Sequence, residues 1–513
     1  MILLVNTYNH VLKEFTSLEH LYSILSDLYA VDIISFDSQM EYECNVVLND
    51  FCKYSYICFY IEQEMAQTVF SLIKNIKKVK NDVVIFVVGP FATLSADQII
   101  DDCPEIDYIV LGDYEVPIKN YLLGEYERDY LYSKGDSLAV KKQFVFNMRD
   151  YHMVDHVLLK DKNLKKLPIA GIEAARGCVG RCCFCTQNYC LNEKRIVWRG
   201  REITDVFNEI VQTYEQYGVV VYQITDSALE SPGTIGKKRI LELCDLLIRY
   251  PRKFTINFNT RAGGFCKEDR HLLDKMKATG FLFVLLGVES FDNNDLRFYN
   301  KRVTQADNVA ALDLLLDCGF SIDCGFINLN PLSTVESIKT NYQFSKKYGF
   351  FFDYHFNTKL SIHYGSEMYS KTKEMGLLKD SYSYINTFEY NYLNPDVAHI
   401  ADRLACANHM SWYHGDEMKY IEFKSCFLSV MNVYDEKVIS SYKQTVTPLI
   451  KNLSDIKFDM FYEIIYSDTD ISKIMNKYNP IIKKCYAEIN IISRKLSKDK
   501  RYLRYLVNKK NGV

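Results

Sequence analysis

The sequence lacks three features that would assign it to common protein classes. It has no apolar run near the about 20 residues that a membrane-spanning helix needs. It has almost no net charge, because 62 basic side chains face 65 acidic ones, so no overall field would recruit nucleic acid. Its start, MILLVNTYNH, has no basic stretch and no cleavage site, which predicts a buried first strand rather than a signal peptide. We therefore expect a cytoplasmic protein that does not bind membranes and is not expected to bind nucleic acid.

Several catalytic patterns are missing as well. The sequence contains no P-loop, no HExxH motif and no evident Ser/His/Asp set. A zinc ribbon would need a second pair of cysteines or histidines at matching spacing, and none is evident downstream of the cysteines described next. Low-complexity segments and internal repeats are also absent.

Cysteine is the residue that stands out. Most of the sixteen cysteines are scattered singly through apolar segments, but five fall within residues 176–190, RGCVGRCCFCTQNYC. Cys178, Cys182 and Cys185 have the spacing C-x3-C-x2-C. Three thiolates on one tight loop can hold three irons of a cubane cluster and leave the fourth iron open to a small molecule. Cys183 and Cys190 do not fit this triad, and we interpret them as packing or loop residues. A zinc site and an accidental group of buried cysteines are the alternatives.

The length of 513 residues predicts roughly two or three domains. In residues 1–125, apolar strands such as MILLV, SYICFY and DVVIFVV alternate with helix-length segments, which indicates an α/β domain with a doubly wound, Rossmann-like parallel sheet. Residues 126–165 are polar and rich in Tyr and Lys, and we interpret them as a linker.

Alternation resumes in residues 166–375 with six βα units, which predict a partial (β/α)6 barrel of the TIM type. The six strands are predicted from LPIAGIEAAR to FDYHFNTKL. Active sites of such barrels lie at the carboxyl ends of the strands, and the cysteine cluster directly follows the first strand. Residues 376–513 have a mostly helical pattern, and we expect them to recognise the substrate.

The cysteine spacing, with the aromatic Phe184 before the third cysteine, resembles the radical S-adenosylmethionine (radical SAM) superfamily. Further segments resemble this family in the same order. FNTRAG resembles its Arg-containing third strand end and contributes Arg261, while LLGVESFDNNDLRFYNKRVT places Glu289 and Ser290 near bound SAM. Asp226 ends the second strand at the same edge of the barrel. GFINLNPLSTVES resembles the segment that lines the adenosine pocket, without the family's usual glycines.

The resemblance implies an enzyme with a 4Fe-4S cluster and SAM as cofactors. SAM would chelate the open iron, and an electron from a donor such as flavodoxin or ferredoxin would cleave it reductively to a 5'-deoxyadenosyl radical. Such a radical attacks unactivated C–H bonds, so the protein contributes positioning and exclusion of water.

The N-terminal domain resembles the cobalamin-binding-type domain often found upstream of radical SAM barrels, although the motif D-x-H-x-x-G is absent. In an open α/β sheet, ligands sit at the carboxyl ends of the strands, so three loops should line one crevice. The candidate cofactor-binding residues there are Asn6 and Thr7 after the first strand, Gly89, Pro90 and Thr93 after the fourth, and Gly112 and Glu115 after the fifth.

If cobalamin binds, the resemblance implies methylation of an unactivated carbon in a peptide or small-molecule natural product. A cobalamin-independent radical SAM maturase that cyclises, epimerises or crosslinks a peptide is the alternative enzyme. A methylthiotransferase acting on tRNA is disfavoured, because Cys44, Cys52 and Cys58 lack the spacing of that family's second cluster. A cluster-binding module without catalysis is the non-enzyme alternative.

Overall fold

The computed structural model describes residues 1–7, 18–36, 51–160, 169–188, 198–349, 356–411 and 436–497. The chain forms two compact units. Unit 1 comprises Met1–Leu243 and Ser361–Glu389, and unit 2 comprises Cys244–Leu360 and Tyr390–Val513. None of the three boundaries between these segments coincides with a domain boundary that we expect from the sequence.

Unit 1 begins with a six-stranded sheet in the order β2-β1-β3-β4-β5-β6. Its strands are β1 Ile2–Thr7, β2 Val31–Phe36, β3 Tyr56–Tyr60, β4 Val84–Val88, β5 Tyr108–Val110 and β6 Leu131–Tyr132. The first five are parallel, whereas β6 is antiparallel to β5 and lies within the segment expected to be a linker.

Both faces of this sheet are covered. Leu3 and Val5 of β1 belong to one buried apolar cluster, while Ile2 and Leu4 belong to another on the opposite face. The surrounding helices are α1 Glu19–Leu25, α2 Ala66–Val79, α3 Pro90–Leu94, α4 Ala96–Asp102 and α5 Glu115–Leu123. Because successive side chains of a strand point to opposite faces, a β1 that is buried throughout confirms the predicted doubly wound domain.

The remainder of unit 1 carries the cysteine loop. Strand β7 Ile169–Ile172 pairs in parallel with β10 Val221–Ile224, whereas β8 Ala175–Gly177 and β9 Trp198–Gly200 form an antiparallel ribbon. The helices of this part are α6 Ile203–Tyr217, α7 Thr234–Arg249, whose end continues into unit 2, and, after the return of the chain, α12 Glu367–Glu374.

Unit 2 contains three parallel strands: β11 Thr255–Arg261, β12 Phe281–Glu289 and β13 Ser321–Phe326. Its helices are α8 Arg270–Thr279, α9 Asn293–Phe298, α10 Gln305–Asp317, α11 Val335–Tyr348, α13 Pro395–Met410, α14 Glu436–Tyr466 and α15 Ile471–Ser497. The C-terminal helices share a buried core with α11, to which Leu404, Phe461 and Tyr486 contribute.

The sixth barrel strand differs from expectation. Part of the segment predicted for it, residues 352–355, lies outside the described residues, and in 356–360 the only pairing described is a bridge between Lys359 and Leu329. The described residues thus contain five strands of the barrel type, β7 and β10 in unit 1 and β11 to β13 in unit 2. No helix among the described residues is long and apolar enough to cross a membrane.

Candidate functional site

The cysteine loop begins where the β8–β9 ribbon ends. Gly177, the last residue of β8, has a φ of +87°, a backbone conformation that suits glycine and turns the chain into the loop. Cys178 and Cys185 are half-buried, whereas Cys182 is buried. The backbone N–H of Gly180 donates to Cys178 Sγ over 3.3 Å, so part of the loop already wraps around a sulfur atom.

Cys183 has a different environment from the predicted cluster ligands. Its side chain is fully buried, and its carbonyl oxygen accepts a hydrogen bond from the backbone N–H of Met368, 3.0 Å away. Burial raises the pKa of the Cys183 thiol to about 11, which keeps it protonated. This placement agrees with a packing role. Cys190 lies outside the described residues.

The three remaining cysteines suit an iron–sulfur cluster by their chemistry: they are soft sulfur donors on one short loop, and Phe184 beside them is half-buried. In the described part of the chain, no three His, Cys, Asp or Glu side chains form a ready-made site for a single metal ion. The assignment to a cluster therefore depends on donor type and spacing.

Asp226 supports the approach to the cysteine loop. Its Oδ1 accepts hydrogen bonds from the backbone N–H groups of Ala174 and Ala175, each 2.8 Å long, and Ala175 is the first residue of β8. Burial raises the pKa of Asp226 to about 7, although these two hydrogen bonds act in the opposite direction. Asp226 therefore contacts the backbone that leads to the cysteines, which suits a positioning role, and the cofactor contact predicted for it stays a prediction.

The crevice at the carboxyl end of the N-terminal sheet contains an unsatisfied polar side chain. Asn6 is fully buried, and neither Oδ1 nor Nδ2 has a hydrogen-bond partner among the described residues. Buried amides without partners are unfavourable, so a polar ligand group at this position would satisfy Asn6. The neighbouring Thr7 donates its hydroxyl to the carbonyl of Tyr60 over 2.8 Å.

The loop after β5 is covered by the chain itself. Gly112 has a φ of +84°, and a Cβ there would lie 2.3 Å from the carbonyl oxygen of Phe144. Its N–H donates to Thr93 Oγ1 over 3.1 Å. Glu115 is fully buried and contacts Arg176 and His20. Thr93, Gly112 and Glu115 thus each have a partner within the chain, and their contact with a cofactor stays a prediction.

The loop after β4, which contains Gly89 and Pro90, lies beside a cavity, unlike the covered loop after β5. Gly89 has a φ of +112° and approaches the ring of Tyr60, and Pro90 lines a cavity of about 290 Å³. The cavity lies where β3 and β4 end and reaches Thr186, the residue after Cys185. Its other lining residues are aromatic, acidic, polar or aliphatic: Tyr60, Phe91, Tyr364, Tyr384, His363, Glu62, Glu64, Gln63, Ser95, Ile61 and Leu94. An aromatic-walled cavity beside the cysteine loop suits part of a large planar ligand.

Three predicted SAM-binding residues belong to unit 2. Arg261 ends β11 and Glu289 ends β12, at the same edge of the parallel sheet. Glu289 has a φ of +66°, which is rare for a residue with a side chain and is often found at functional sites. Its Oε1 accepts from the buried ammonium of Lys301 over 2.8 Å.

Ser290 does not lie in an open position. It is fully buried, and its hydroxyl contacts Asp295 Oδ2 over 2.8 Å and Asn341 Oδ1 over 3.1 Å. Burial raises the pKa of Asp295 to about 6. The Ser290 hydroxyl therefore belongs to a buried polar network with Asp295 and Asn341, and its contact with SAM stays a prediction.

Comparison with known proteins identifies the class. Residues 172–344 match the model of the Radical SAM superfamily, so the chain contains a radical SAM domain, as predicted. Over 99% of its length the chain superimposes on 83% of the cobalamin-dependent S-adenosylmethionine radical enzyme OxsB, solved with aqua-cobalamin and S-adenosylmethionine bound, with a TM-score of 0.69 and 17% identity. This similarity shows the fold and confirms the predicted α/β architecture.

Two relatives illustrate the sequence similarity. The chain is 27% identical over 303 residues to the anaerobic magnesium-protoporphyrin IX monomethyl ester cyclase of Cereibacter sphaeroides, covering 55% of this chain and 47% of that protein. It is 26% identical over 282 residues to the bacteriochlorophyllide d C-8(2)-methyltransferase of Chlorobaculum tepidum, covering 53% and 59%. The chain thus spans about half the length of these relatives.

Sequence reasoning missed several residues at these sites. Lys301 was present in the family-like stretch, but only the fold shows its contact with Glu289. Asp113 and Arg199 are ion-paired although they are 86 residues apart, and His363 reaches the cavity from a segment far along the chain. No local pattern marks such residues, because their partners are distant in sequence.

Proposed function

We propose that this chain is a radical SAM enzyme that cleaves SAM reductively and methylates an unactivated carbon with the help of cobalamin. The observation that carries the proposal is the position of the cysteine loop: it opens a radical SAM domain and adjoins, within unit 1, a cavity at the carboxyl end of a doubly wound sheet. Cys178, Cys182 and Cys185 would hold the cluster.

When bound, the cluster supplies a low-potential electron that splits SAM into methionine and a 5'-deoxyadenosyl radical. Glu289 and Arg261, at adjacent strand ends, would bind polar groups of SAM, and Asp226 holds the backbone before the cysteines. Asn6, Gly89 and Pro90 would contact cobalamin, which would supply the methyl group. A reductant of the flavodoxin or ferredoxin type and a peptide or small-molecule substrate complete the proposal.

The test is anaerobic SAM cleavage by the full chain after reconstitution with iron and sulfide. We expect about four irons per chain and formation of 5'-deoxyadenosine, both abolished by Cys178→Ala, Cys182→Ala or Cys185→Ala. Cys183→Ala is the matched control from the same loop and should retain most activity, because its thiol is buried and protonated. Equal loss in all four variants would contradict the assigned roles.

Reconstitution with hydroxocobalamin distinguishes a cobalamin-dependent methyltransferase from a cobalamin-independent peptide maturase. Corrin retained after desalting at nearly one per chain would support methyl transfer. SAM cleavage without retained corrin would favour the cobalamin-independent peptide maturase, and a reconstituted cluster with no SAM cleavage would favour a binding module.

A further inference from the structure

The ribbon that leads into the cysteine loop contains two opposed positive charges. Arg176 of β8 pairs directly with Arg199 of β9 in the antiparallel register. Like charges at directly opposed positions destabilise a two-stranded ribbon. Both side chains are largely buried, with 13% and 10% of their surface exposed, so water screens this repulsion poorly. The ribbon therefore depends on negative charge from elsewhere.

The N-terminal domain supplies that charge through the loop after β5. Asp113 binds both arginines: Oδ1 accepts from Arg176 Nη1 over 3.1 Å, and Oδ2 accepts from Arg199 Nη1 over 2.5 Å. Glu115 Oε1 accepts from Arg176 Nη2 over 2.6 Å. Glu173, just before β8, is a third carboxylate at this place and accepts hydrogen bonds from Arg176 Nε and Nη2, each 2.9 Å long. Asp113 thus bridges the two strands of the ribbon, whereas Glu115 binds Arg176 alone, and both carboxylates lie about 60 residues before Arg176 in the sequence.

Glu115 is itself held in place and ionised. Its carboxylate also lies 3.1 Å from His20 Nδ1 and accepts a hydrogen bond from the N–H of Tyr114 over 3.1 Å. Burial alone would raise the pKa of Glu115, but Arg176 and His20 together lower it. His20 stacks on Tyr151 with ring centroids 3.9 Å apart, which fixes the imidazole. An anion in such a rigid setting fixes the position of Arg176.

We propose that Asp113 and Glu115 are positioning residues that hold the Arg176–Arg199 pair and thereby set the geometry of the cysteine loop. Cys178 follows Arg176 by two residues, with only Gly177 between them, so displacement of the arginine would be passed on to the first cysteine. The N-terminal domain then serves the cluster directly, whether or not it carries a corrin. This inference rests on the proposed function, since it requires a cluster on the cysteine loop.

The experiment compares Asp113→Asn, Glu115→Gln and the wild-type chain after anaerobic reconstitution. We expect iron content within the wild-type range, but a changed electron paramagnetic resonance spectrum of the reduced cluster with SAM. We also expect 5'-deoxyadenosine formation to fall by about 100-fold, the scale for misplacing reacting groups by about 1 Å. A purely structural role away from the cluster would not alter that spectrum in folded protein.

Two further variants make the test specific. Asp113→Asn with Arg199→Gln removes one charge of each sign, so it should recover part of the activity and spectrum lost in Asp113→Asn. Asp129→Asn breaks the exposed contact of Asp129 with Lys142, 2.6 Å long, and should match the wild type. If Glu115→Gln fails to fold, the comparison of Asp113→Asn with the double variant still tests the inference, because neither variant changes Glu115.

Wild-type spectra and rates in folded Asp113→Asn and Glu115→Gln would overturn the inference while leaving the proposed function standing. Loss in Asp113→Asn without any recovery in the double variant would also overturn it, since charge balance would then not be the cause. A wild-type chain that binds no cluster would instead overturn the proposed function.

Discussion

At the scale of single residues, Glu289 combines an unusual backbone with a buried ion pair. Its φ is +66°, and its carboxylate faces Lys301, which is itself only 4% exposed. Strained residues persist where the surrounding structure enforces them, often for a functional reason. A carboxylate held in this way at a strand end is ready to bind a cationic group such as the amino group of SAM.

We predict that Glu289→Gln weakens SAM binding by about 10- to 100-fold, because losing a hydrogen bond to a charged group costs about 1.5 to 3 kcal/mol. Glu289→Gly removes the carboxylate and also suits the positive φ, so it should weaken binding without strain at this position. Anaerobic equilibrium dialysis measures the affinity, and iron content should stay unchanged. Unchanged affinity in both folded variants would remove Glu289 from the site.

The raised pKa of Asp226 leads us to predict that its contribution to the stability of the protein falls as the pH rises. Its pKa is about 7 in the folded protein against an ordinary 3.8, because it is buried. The folded state therefore binds more protons than the unfolded state between about pH 4 and pH 7, so the contribution of Asp226 to stability is complete below that range and lost as the pH rises through 7.

Asp226→Asn removes this titration but keeps an oxygen that can accept from Ala174 and Ala175. We expect the variant to be more stable than the wild type at pH 8 by up to a few kcal/mol, at about 1.4 kcal/mol per tenfold change in proton affinity, and the difference to shrink toward pH 5. Urea unfolding of the apoprotein measures it. A difference that is independent of pH would contradict the explanation.

At the scale of elements, the loops after β4 and β5 differ although both carry a glycine with positive φ. A Cβ at Gly112 would lie 2.3 Å from the backbone oxygen of Phe144, whereas a Cβ at Gly89 would lie 3.1 Å from the ring edge of Tyr60. Gly135 has a φ of +88° with open space around it. Substitution of Gly135 would therefore cause backbone strain alone, whereas substitution of Gly112 would add a steric overlap to that strain.

We predict that Gly135→Ala and Gly89→Ala each lower the free energy of unfolding by about 1 to 3 kcal/mol, the cost of a strained backbone. Gly112→Ala should lower it clearly more, because the overlap with Phe144 adds to the strain. Urea unfolding compares the three variants. An equal effect of Gly112→Ala and Gly135→Ala would show that the segment containing Phe144 can give way. A test of corrin binding should therefore substitute Gly89 rather than Gly112, because the substitution at Gly89 should disturb the fold less.

At the scale of the whole molecule, the two compact units should respond differently to cobalamin. The candidate corrin contacts, Asn6, Gly89 and Pro90, all belong to unit 1, as does the cavity beside the cysteine loop. The core formed by α13, α14 and α15 belongs to unit 2. A ligand that binds only the folded state stabilises it by about 2.7 kcal/mol at a concentration 100 times its Kd.

We therefore predict that hydroxocobalamin slows amide hydrogen exchange at the ends of β1, β3 and β4, while exchange in α14 and α15 stays unchanged. Mass spectrometry of peptides from the full chain, with and without the ligand, measures this. Protein taken through the same steps without hydroxocobalamin serves as the control. Protection confined to the C-terminal helices would contradict a corrin site in unit 1.

The sequence by itself determined the features that depend on local spacing. The alternation of apolar strands and helices identified the doubly wound domain, because strands covered on both faces are largely apolar, as Ile2–Val5 of β1 are. The C-x3-C-x2-C spacing predicts Cys178, Cys182 and Cys185 as cluster ligands, and the match of residues 172–344 confirms the radical SAM domain that this spacing indicates. These conclusions need only neighbours within a few residues or one repeating pattern.

Only the tertiary structure decided which polar residues remain available to ligands. Glu115 and Ser290 belong to family-like motifs, yet the fold buries both with partners, Arg176 and Asp295 respectively. Gly112 follows a strand end like Gly89, but the backbone of Phe144 covers it. The amide of Asn6, in contrast, has no hydrogen-bond partner within the part of the chain that the structure describes. The reason is that the sequence specifies the type of each side chain, whereas burial and pairing between residues as far apart as Asp113 and Arg199 arise only when the chain is folded.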